Sequence, residues 1–380
     1  MIAKYRIYSK VIEKAADAIA IGQSIGNPDK RAKYETDKIW DTFGAKVVDI
    51  QKDNNNEALV TINYPNSIFT KGSLTHLLTV LMGGQMDIDI IEKCVLEEVK
   101  FDLEIVKPYL GPKYGVDKVR ESAGVLDRPM IGGIIKPKTG LDEDILKIIV
   151  SEMIDGGIDF IKEDEILGEI PGLKFLKRIQ IIDELIEKKN SKVIYAPALN
   201  VQMSDLDHSI KELNKMNSIK AFHFNVWGGL DLFKYISDNS NKMAFYQKSG
   251  DKVITSGKFS ISFEIWCVLC RLAGADMMHA GMVGGYLDEP IELMTQRIKN
   301  IQGEFFTLKG TIPSMSCGAH PGLVKYLNKN FGNNIMISSG GAIHAHRDGT
   351  FSGTKAFLDV ANDLKSKELD VAIEQFGFKE

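Results

Sequence analysis

From about residue 130 onward, short runs rich in apolar and β-branched residues return about every 20 to 35 positions, with amphipathic, charged stretches between them. Continuous or alternating apolar runs that trade places with stretches of helical period predict βαβ units and a parallel sheet. Eight such runs stand in the sequence: MIGGIIKP, GIDFIKEDE, KVIYAPALN, KAFHFNVWGG, KMAFYQKS, ADMMHAGMVGG, GTIPSMSCGAH and NIMISSGGAIHAH. Each begins apolar and ends in polar or glycine-rich residues. Stretches such as DEDILKIIVSEMIDG and PIELMTQRIKNIQ predict the intervening helices. Eight units close naturally into a (β/α)8 TIM barrel, whose chemistry gathers at the C-terminal ends of the strands.

Residues 1 to about 120 read differently. Helix-like stretches such as NPDKRAKYETDKIWDTFG and strand-like ones such as NNEALVTINYP and EEVKFDLEIVKPYLGP are grouped rather than alternating strictly, which predicts a smaller α+β domain. GPKYGVDKVRESAGVLDRP, rich in Gly and Pro around a helix-compatible centre, is the expected linker, giving domains of 1–120 and 121–380.

Composition narrows the class. The chain has 380 residues, 44% of them hydrophobic, with a formal net charge of −4 and no block of like charges, so neither nucleic acid nor an anionic membrane is an expected partner. The first residues lack a signal-type apolar segment and no run approaches the roughly 20 apolar residues of a membrane span. A cytoplasmic protein is expected. The cysteines, Cys94, Cys267, Cys270 and Cys317, are too few for a disulfide framework. The single C-x-x-C in FEIWCVLCRLAG reads as two core cysteines of a helix, there being no second pair to complete a zinc site.

The chemistry concentrates where charge is costly. GGIDFIKEDE puts Lys162, Glu163, Asp164 and Glu165 at the end of a buried apolar strand. Alternation sends Lys162 and Asp164 to one side, and Glu165 can curl over the rim. Simple ion pairing is one reading. The other is a Mg²⁺ site, which asks for oxygen ligands; Lys162 could join it only as a carbamate formed with CO₂, with Glu163 a bystander. IIKPKTGL places Lys136 and Lys138 on one face around Pro137, as solvated rim lysines or as groups whose desolvation suits them to proton abstraction. His223 and His279 lie near strand ends, as core histidines or as groups that orient substrate and move protons. The last two strands end in SCGAH (Ser316, Cys317, Gly318) and SSGGAIHAH (Ser338, Ser339, Gly340, Gly341), glycine turns of the kind that offer backbone amides to phosphate.

Taken together, these motifs resemble the large subunit of ribulose bisphosphate carboxylase/oxygenase (RuBisCO), and more closely its non-carboxylating, form IV relatives, the RuBisCO-like proteins. The resemblance extends into the N-terminal part through YPNSIFTKGSLTHLLTVLMGG and VKPYLGPKYG. It implies a ferredoxin-like N-terminal domain and Mg²⁺ held by a carbamate on Lys162 with Asp164 and Glu165. It also implies catalytic roles for Lys136, Lys138, His223 and His279, and a phosphate site at Ser316, Gly318, Ser339, Gly340 and Gly341. Sites shared between subunits imply at least a homodimer.

Departures from the carboxylase pattern matter as much. The loop after the sixth strand, HAGMVGGYLDEP, carries Tyr286 where carboxylases place a lysine, and the fifth strand ends in Gln247 and Lys248 instead of histidine and arginine. The N-terminal shell is altered around Gly22, Gln23, Asn27 and Gly84; the enolases of methionine salvage use a lysine near the last of these. The expectation is Mg²⁺-dependent enolisation of a phosphorylated ketose or keto-sugar acid, ending in tautomerisation, isomerisation or decarboxylation, with Lys248 among the substrate contacts. The competing readings are the methionine-salvage 2,3-diketo-5-methylthiopentyl-1-phosphate enolase, a non-catalytic metal and sugar-phosphate binder, and a true carboxylase.

Overall fold

A computed structural model describes residues 1–379. Four strands precede residue 110: β1 (Ile2–Tyr8), β2 (Lys46–Lys52), β3 (Glu57–Asn63) and β4 (Lys93–Lys100). They are followed by β5 (Met130–Ile134), β6 (Phe160–Lys162), β7 (Ile194–Ala196), β8 (Ala221–Asn225), β9 (Met243–Gln247), β10 (Phe259–Ile261), β11 (Met277–Gly281), β12 (Ile312–Met315) and β13 (Met336–Ser339).

The chain divides into two compact units: Met1–Leu110 with Gly250–Ala273, and Gly111–Ser249 with the chain from Gly274 onward. The first holds a sheet of order β10-β4-β1-β3-β2. Its first four strands, with the helices Ile12–Gly22 and Leu74–Leu81, run βαββαβ with antiparallel neighbours, a ferredoxin-like arrangement. Alternate residues of β1 and β3 are buried, as one-sided sheet burial requires. This unit takes in 250–273 because β10 pairs in parallel with β4, from Phe259 opposite Cys94 to Ile261 opposite Leu96, a long-range pairing that no local pattern announces. The stretch after Gly26 also differs from the helical expectation. Only Asp37–Phe43 is helical, capped by the Thr36 hydroxyl, since the preceding charged residues carry no apolar face to bury. Cys267 and Cys270 are buried on the helix Phe263–Leu272 without a disulfide.

The second unit is the barrel. All eight anticipated runs are its strands, hydrogen-bonded in parallel in the order β7-β6-β5-β13-β12-β11-β9-β8. The seam between β7 and β8 closes just past the end of β7, where the His223 amide donates to Pro197 O (3.0 Å) and the Leu199 amide to His223 O (3.1 Å). Helices such as Glu143–Asp155, Phe175–Lys188 and Ile291–Gln302 return the chain between strands.

The interior is stratified by the period-2 rule. A lower apolar layer contains Met130, Phe160, Ile194, Ala221, Met243, Met277, Ile312 and Met336, packed with Val119 and Ala123 from the helix Gly115–Ala123. That packing explains why the barrel unit begins at Gly111. Two residues further along the strands, the same inward series delivers Gly132, Lys162, His223, His279, Ser314 and Ser338; the Ser314 and Ser338 hydroxyls meet at 2.8 Å. Asp276, just before β11, fastens the lower end. Its carboxylate accepts from the amides of Tyr114 (2.6 Å), Gly115 (2.9 Å) and Ala244 (3.0 Å), while burial still pushes its pKa up to about 6. Asp276→Ala would orphan all three donors and is expected to cost about 3 kcal/mol or more in chemical denaturation.

Candidate active site

The strand ends enclose a cavity of about 410 Å³ whose wall includes Lys136, Lys138, Asp164, Glu165, Gln247 and Lys248. His279, Ser316, Gly318, Ser339, Gly340 and Gly341 also line it. Most of the residues singled out from the sequence are thus brought together; Lys162 and His223 lie behind the lining.

Lys162 is fully buried because it follows Phe160 into the barrel interior. Its Nζ donates to Glu163 O at 2.9 Å and lies 3.6 Å from Glu165 Oε2. Burial dominates its electrostatics and lowers its pKa to about 8, against the opposing pull of Glu165 and Asp164. Asp164 is 2% exposed and pairs with Lys136, with Lys138 Nζ further out at 4.0 Å. Burial raises the Asp164 carboxyl, but the Lys136 hydrogen bond, the Ile166 amide and the lysine charges bring it below the usual range. Gly340 makes room for this pairing: a Cβ there would stand 2.9 Å from Lys136 Cε and 3.0 Å from Ile134 O. His344, which the sequence reading passed over, donates from Nε2 to Ile134 O (3.0 Å) and so secures the strand that carries Lys136.

His279 Nδ1 lies 3.0 Å from Ser316 Oγ, and burial, reinforced by Lys162 and Lys248, holds its pKa well below the ordinary value. It is a neutral imidazole, able to pass a proton but not to serve as a fixed charge. His223 is likewise driven down by burial, then by Lys162 and His279, against the opposing pull of a backbone hydrogen bond at Glu163. In the turn after β12, Cys317 sits at φ +81 and Gly318 at φ +102. A Cβ at Gly318 would meet Tyr286 N at 2.4 Å, so glycine is required for the loop carrying Tyr286 to lie against this turn.

Glu163, set aside from the sequence as a bystander, has a structural task. It is wholly buried and accepts from Arg178 Nε (3.1 Å), Tyr195 OH (2.9 Å) and the Ala198 amide (2.8 Å). Arg178 also donates to Gly168 O (2.9 Å) and Leu173 O (3.0 Å), fixing the loop that leaves Asp164 and Glu165. The signal for this truss was available: Arg178 interrupts the apolar face of FLKRIQIIDELIEK, beside Phe175, Ile179 and Ile182. Partners that orient a ligand set usually influence metal affinity 10–100-fold. If Asp164 and Glu165 hold a cation, Tyr195→Phe, which deletes one support and keeps the ring, is expected to weaken Mn²⁺ binding about tenfold in an EPR titration, with little change in melting temperature.

With this geometry in view, family models identify the chain. Residues 1–104 match the ribulose bisphosphate carboxylase large chain, N-terminal domain, and residues 115–376 match its catalytic domain. The protein belongs to the RuBisCO large-chain family. Its RuBisCO-family relatives include the ribulose bisphosphate carboxylase of Methanocaldococcus jannaschii, 26% identical over 91% of this chain and 87% of that one. A 2,3-diketo-5-methylthiopentyl-1-phosphate enolase from Bacillus licheniformis is 28% identical, covering 96% of this chain and 94% of its own. The octameric RuBisCO of Pyrococcus horikoshii shares the fold, with a TM-score of 0.91 and 22% identity over 100% of this chain and 94% of that one. Among the described residues no helix is long and apolar enough to cross a membrane.

Among the described residues, no three His, Cys, Asp or Glu side chains converge as a metal-binding group. The cavity offers two neighbouring carboxylates, Asp164 and Glu165, with the Lys162 amine 3.6 Å from the second. This donor set suits a hard cation if Lys162 supplies a third oxygen arm.

Proposed function

We propose that the protein is a Mg²⁺-dependent enolising enzyme acting on a phosphorylated ketose or keto-sugar acid, and not a ribulose bisphosphate carboxylase. The reading rests on one observation: Lys136, Asp164, Glu165, His279 and the glycine turns of β12 and β13 line a single cavity directly above buried Lys162. In this reading Lys162 reacts with CO₂ to give a carbamate, and Lys162, Asp164 and Glu165 hold Mg²⁺. When bound, the cation supplies Lewis-acid polarisation of the substrate carbonyl and stabilises the oxyanion that develops there.

The chain's own groups do the rest. Gly318, Gly340 and Gly341, with Ser316 and Ser339, hold the phosphate and fix the substrate's register. Lys136 takes the proton from the carbon beside the carbonyl. Lys138 adds positive charge at the rim, Lys248 contacts the substrate beside Gln247, and neutral His279 passes a proton with Ser316. His223 supports this set from behind. Tyr286, in place of the loop lysine, leaves the carboxylation step without its cation, so the enolised substrate is reprotonated. Depending on the substrate, the result is tautomerisation, isomerisation or decarboxylation.

The Bacillus relative gives a second reading, the methionine-salvage enolase. Against it, Gly84 begins the turn Gly84–Asp87, which contains no lysine. One experiment separates the readings. Protein, Mg²⁺ and bicarbonate are incubated in D₂O with keto-sugar phosphates, 2,3-diketo-5-methylthiopentyl-1-phosphate and ribulose bisphosphate, and substrate protons are followed by NMR. Exchange of a hydroxylated keto-sugar phosphate supports the proposal. Turnover of the methylthio compound alone supports the salvage enzyme, labelled CO₂ fixed into ribulose bisphosphate a carboxylase, and no exchange at all a non-catalytic binder. We place the protein in the cytoplasm as a homodimer or an assembly of dimers, in keeping with the octameric Pyrococcus relative.

A further inference from the structure

Behind the cavity wall stands a polar side chain that the proposed chemistry leaves unused. His344 ends the single helical turn Gly341–His344 and is half-buried, outside the lining. Its Nε2 lies 3.0 Å from Ile134 O and its Nδ1 3.1 Å from Thr350 Oγ1. A carbonyl oxygen can only accept, so Nε2 carries the proton. Burial pushes the ring's pKa down to about 4, so the imidazole is neutral and Nδ1 accepts from the Thr350 hydroxyl. Thr350 opens the helix Thr350–Ala361, and the turn before it is bolted to the last helix, Lys367–Phe376. There His346 Nε2 donates to Glu368 O (3.0 Å), and Gln375 accepts from the Arg347 amide (3.0 Å) and donates to Ala345 O (2.6 Å). On the other side, the pairing of β5 with β13 stops at Gly133 opposite Ser339, one residue short of Ile134. His344 thus takes hold of β5 where that pairing ends, two residues before Lys136. The same turn carries the glycines read as phosphate contacts: the His344 amide donates to Gly340 O (3.1 Å), and Gly340 packs against Ile134 and the stem of Lys136.

We infer that His344 is a positioning residue that fixes the Lys136 amine relative to the glycine turn after β13, and thereby decides which of the two carbons flanking the substrate carbonyl gives up its proton. The inference rests on the reading of Lys136 as the base and of Gly340 and Gly341 as phosphate contacts, and adds the register between them. A phosphoryl group held by the turn places each carbon of the substrate at a set distance from it. A base tied to that same turn through one side-chain hydrogen bond is aimed at one of those carbons. Misplacing a catalytic group by about 1 Å can cost on the order of 10²-fold in rate. The two candidate carbons stand on either side of a single carbonyl, so a small shift of the amine changes which one it reaches.

The test uses D-ribulose 1-phosphate, which carries hydrogens on both carbons beside its carbonyl, incubated in D₂O with the full chain, Mg²⁺ and bicarbonate. Deuterium at each carbon is read by NMR. The wild type is expected to favour one carbon by at least about tenfold, and His344→Ala to narrow the ratio to within about twofold. Exchange at the favoured carbon should slow about tenfold or more in kcat, while KM and the affinity for inorganic phosphate change by less than about threefold. His344→Gln, which keeps a donor for Ile134 O, should restore most of the preference. The ratio is internal to each sample, so a smaller folded fraction does not move it. A second measurement needs no turnover: competitive acetylation read by peptide mass spectrometry, with exposed Lys118 as the reference. Loss of one hydrogen bond loosens the end of β5 and with it the pairing of Lys136 with Asp164, so Lys136 should label about threefold faster in His344→Ala and at the wild-type rate in His344→Gln. Unchanged labelling of Lys136, equal exchange at both carbons by the wild type, or an undiminished preference in His344→Ala would overturn the inference. Labelling that responds while the wild type exchanges neither carbon would leave the hold on Lys136 standing and remove enolisation.

Discussion

Lys136→Met is expected to lower the rate of solvent-deuterium exchange into substrate by a factor on the order of 10²–10⁴, the usual contribution of a positioned base. Lys136 shares the cavity with the two carboxylates, and its ion-pair partner, Asp164, is a residue the cation would claim. Asp164 cannot serve both cations equally well. Loading the cation site would therefore draw Asp164 away and leave the Lys136 amine free to face the substrate. Lys138 provides the internal comparison, being 46% exposed and 4.0 Å from Asp164, so Lys138→Met should cost much less. Methionine keeps the length of the stem, and binding of inorganic phosphate should be retained. Exchange at the wild-type rate in Lys136→Met, or an equal loss in Lys138→Met, would remove Lys136 from the role of base.

How much of this was legible depends on the range over which each feature is determined. The barrel strands were readable because a buried parallel strand is locally apolar and its rim is locally polar: MIGGIIKP and GIDFIKEDE announce both in under ten residues. The same locality exposed Lys136, Lys162, Asp164 and Glu165, since charge at the end of an apolar run has few structural explanations. What stayed hidden was set by distant partners. Glu163 looks like a neighbour of the ligands, but its role is decided by Arg178 on the following helix and Tyr195 on the following strand. The affiliation of 250–273 is decided by β4, some 160 residues earlier in the chain. His223 was visible as a candidate, but the burial that keeps its ring neutral is a property of the assembled barrel.

Lys162→Met is expected to show two opposed signatures, and together they test whether the charged cluster at the end of β6 is functional. The first is loss: CO₂-dependent Mn²⁺ binding should vanish, and a carbamate resonance seen by NMR after loading the wild type with ¹³CO₂ should be absent. Only a neutral amine attacks CO₂, so uptake should follow deprotonation of Lys162. With the pKa lowered from 10.5 to about 8, about half of the amine is neutral at pH 8, whereas an ordinary lysine would be well under one part in a hundred. Uptake should therefore rise through about pH 8, level off above it, and fall about tenfold for each unit below it. The second signature is gain. A base whose pKa is lower in the folded chain binds fewer protons there than when unfolded, so its penalty on stability is complete below about pH 8 and fades as pH climbs toward 10.5. Replacing the amine by a methionine of similar volume removes that penalty, and Lys162→Met should be more stable near pH 7 by on the order of 1–3 kcal/mol, the range reflecting compensation from Glu165 and Asp164. If Lys162 were merely the structural partner of those acids, the variant would instead be less stable and the pH dependence of CO₂ uptake would be flat. A dead but stabilised variant is the result that a lysine kept buried for its chemistry predicts.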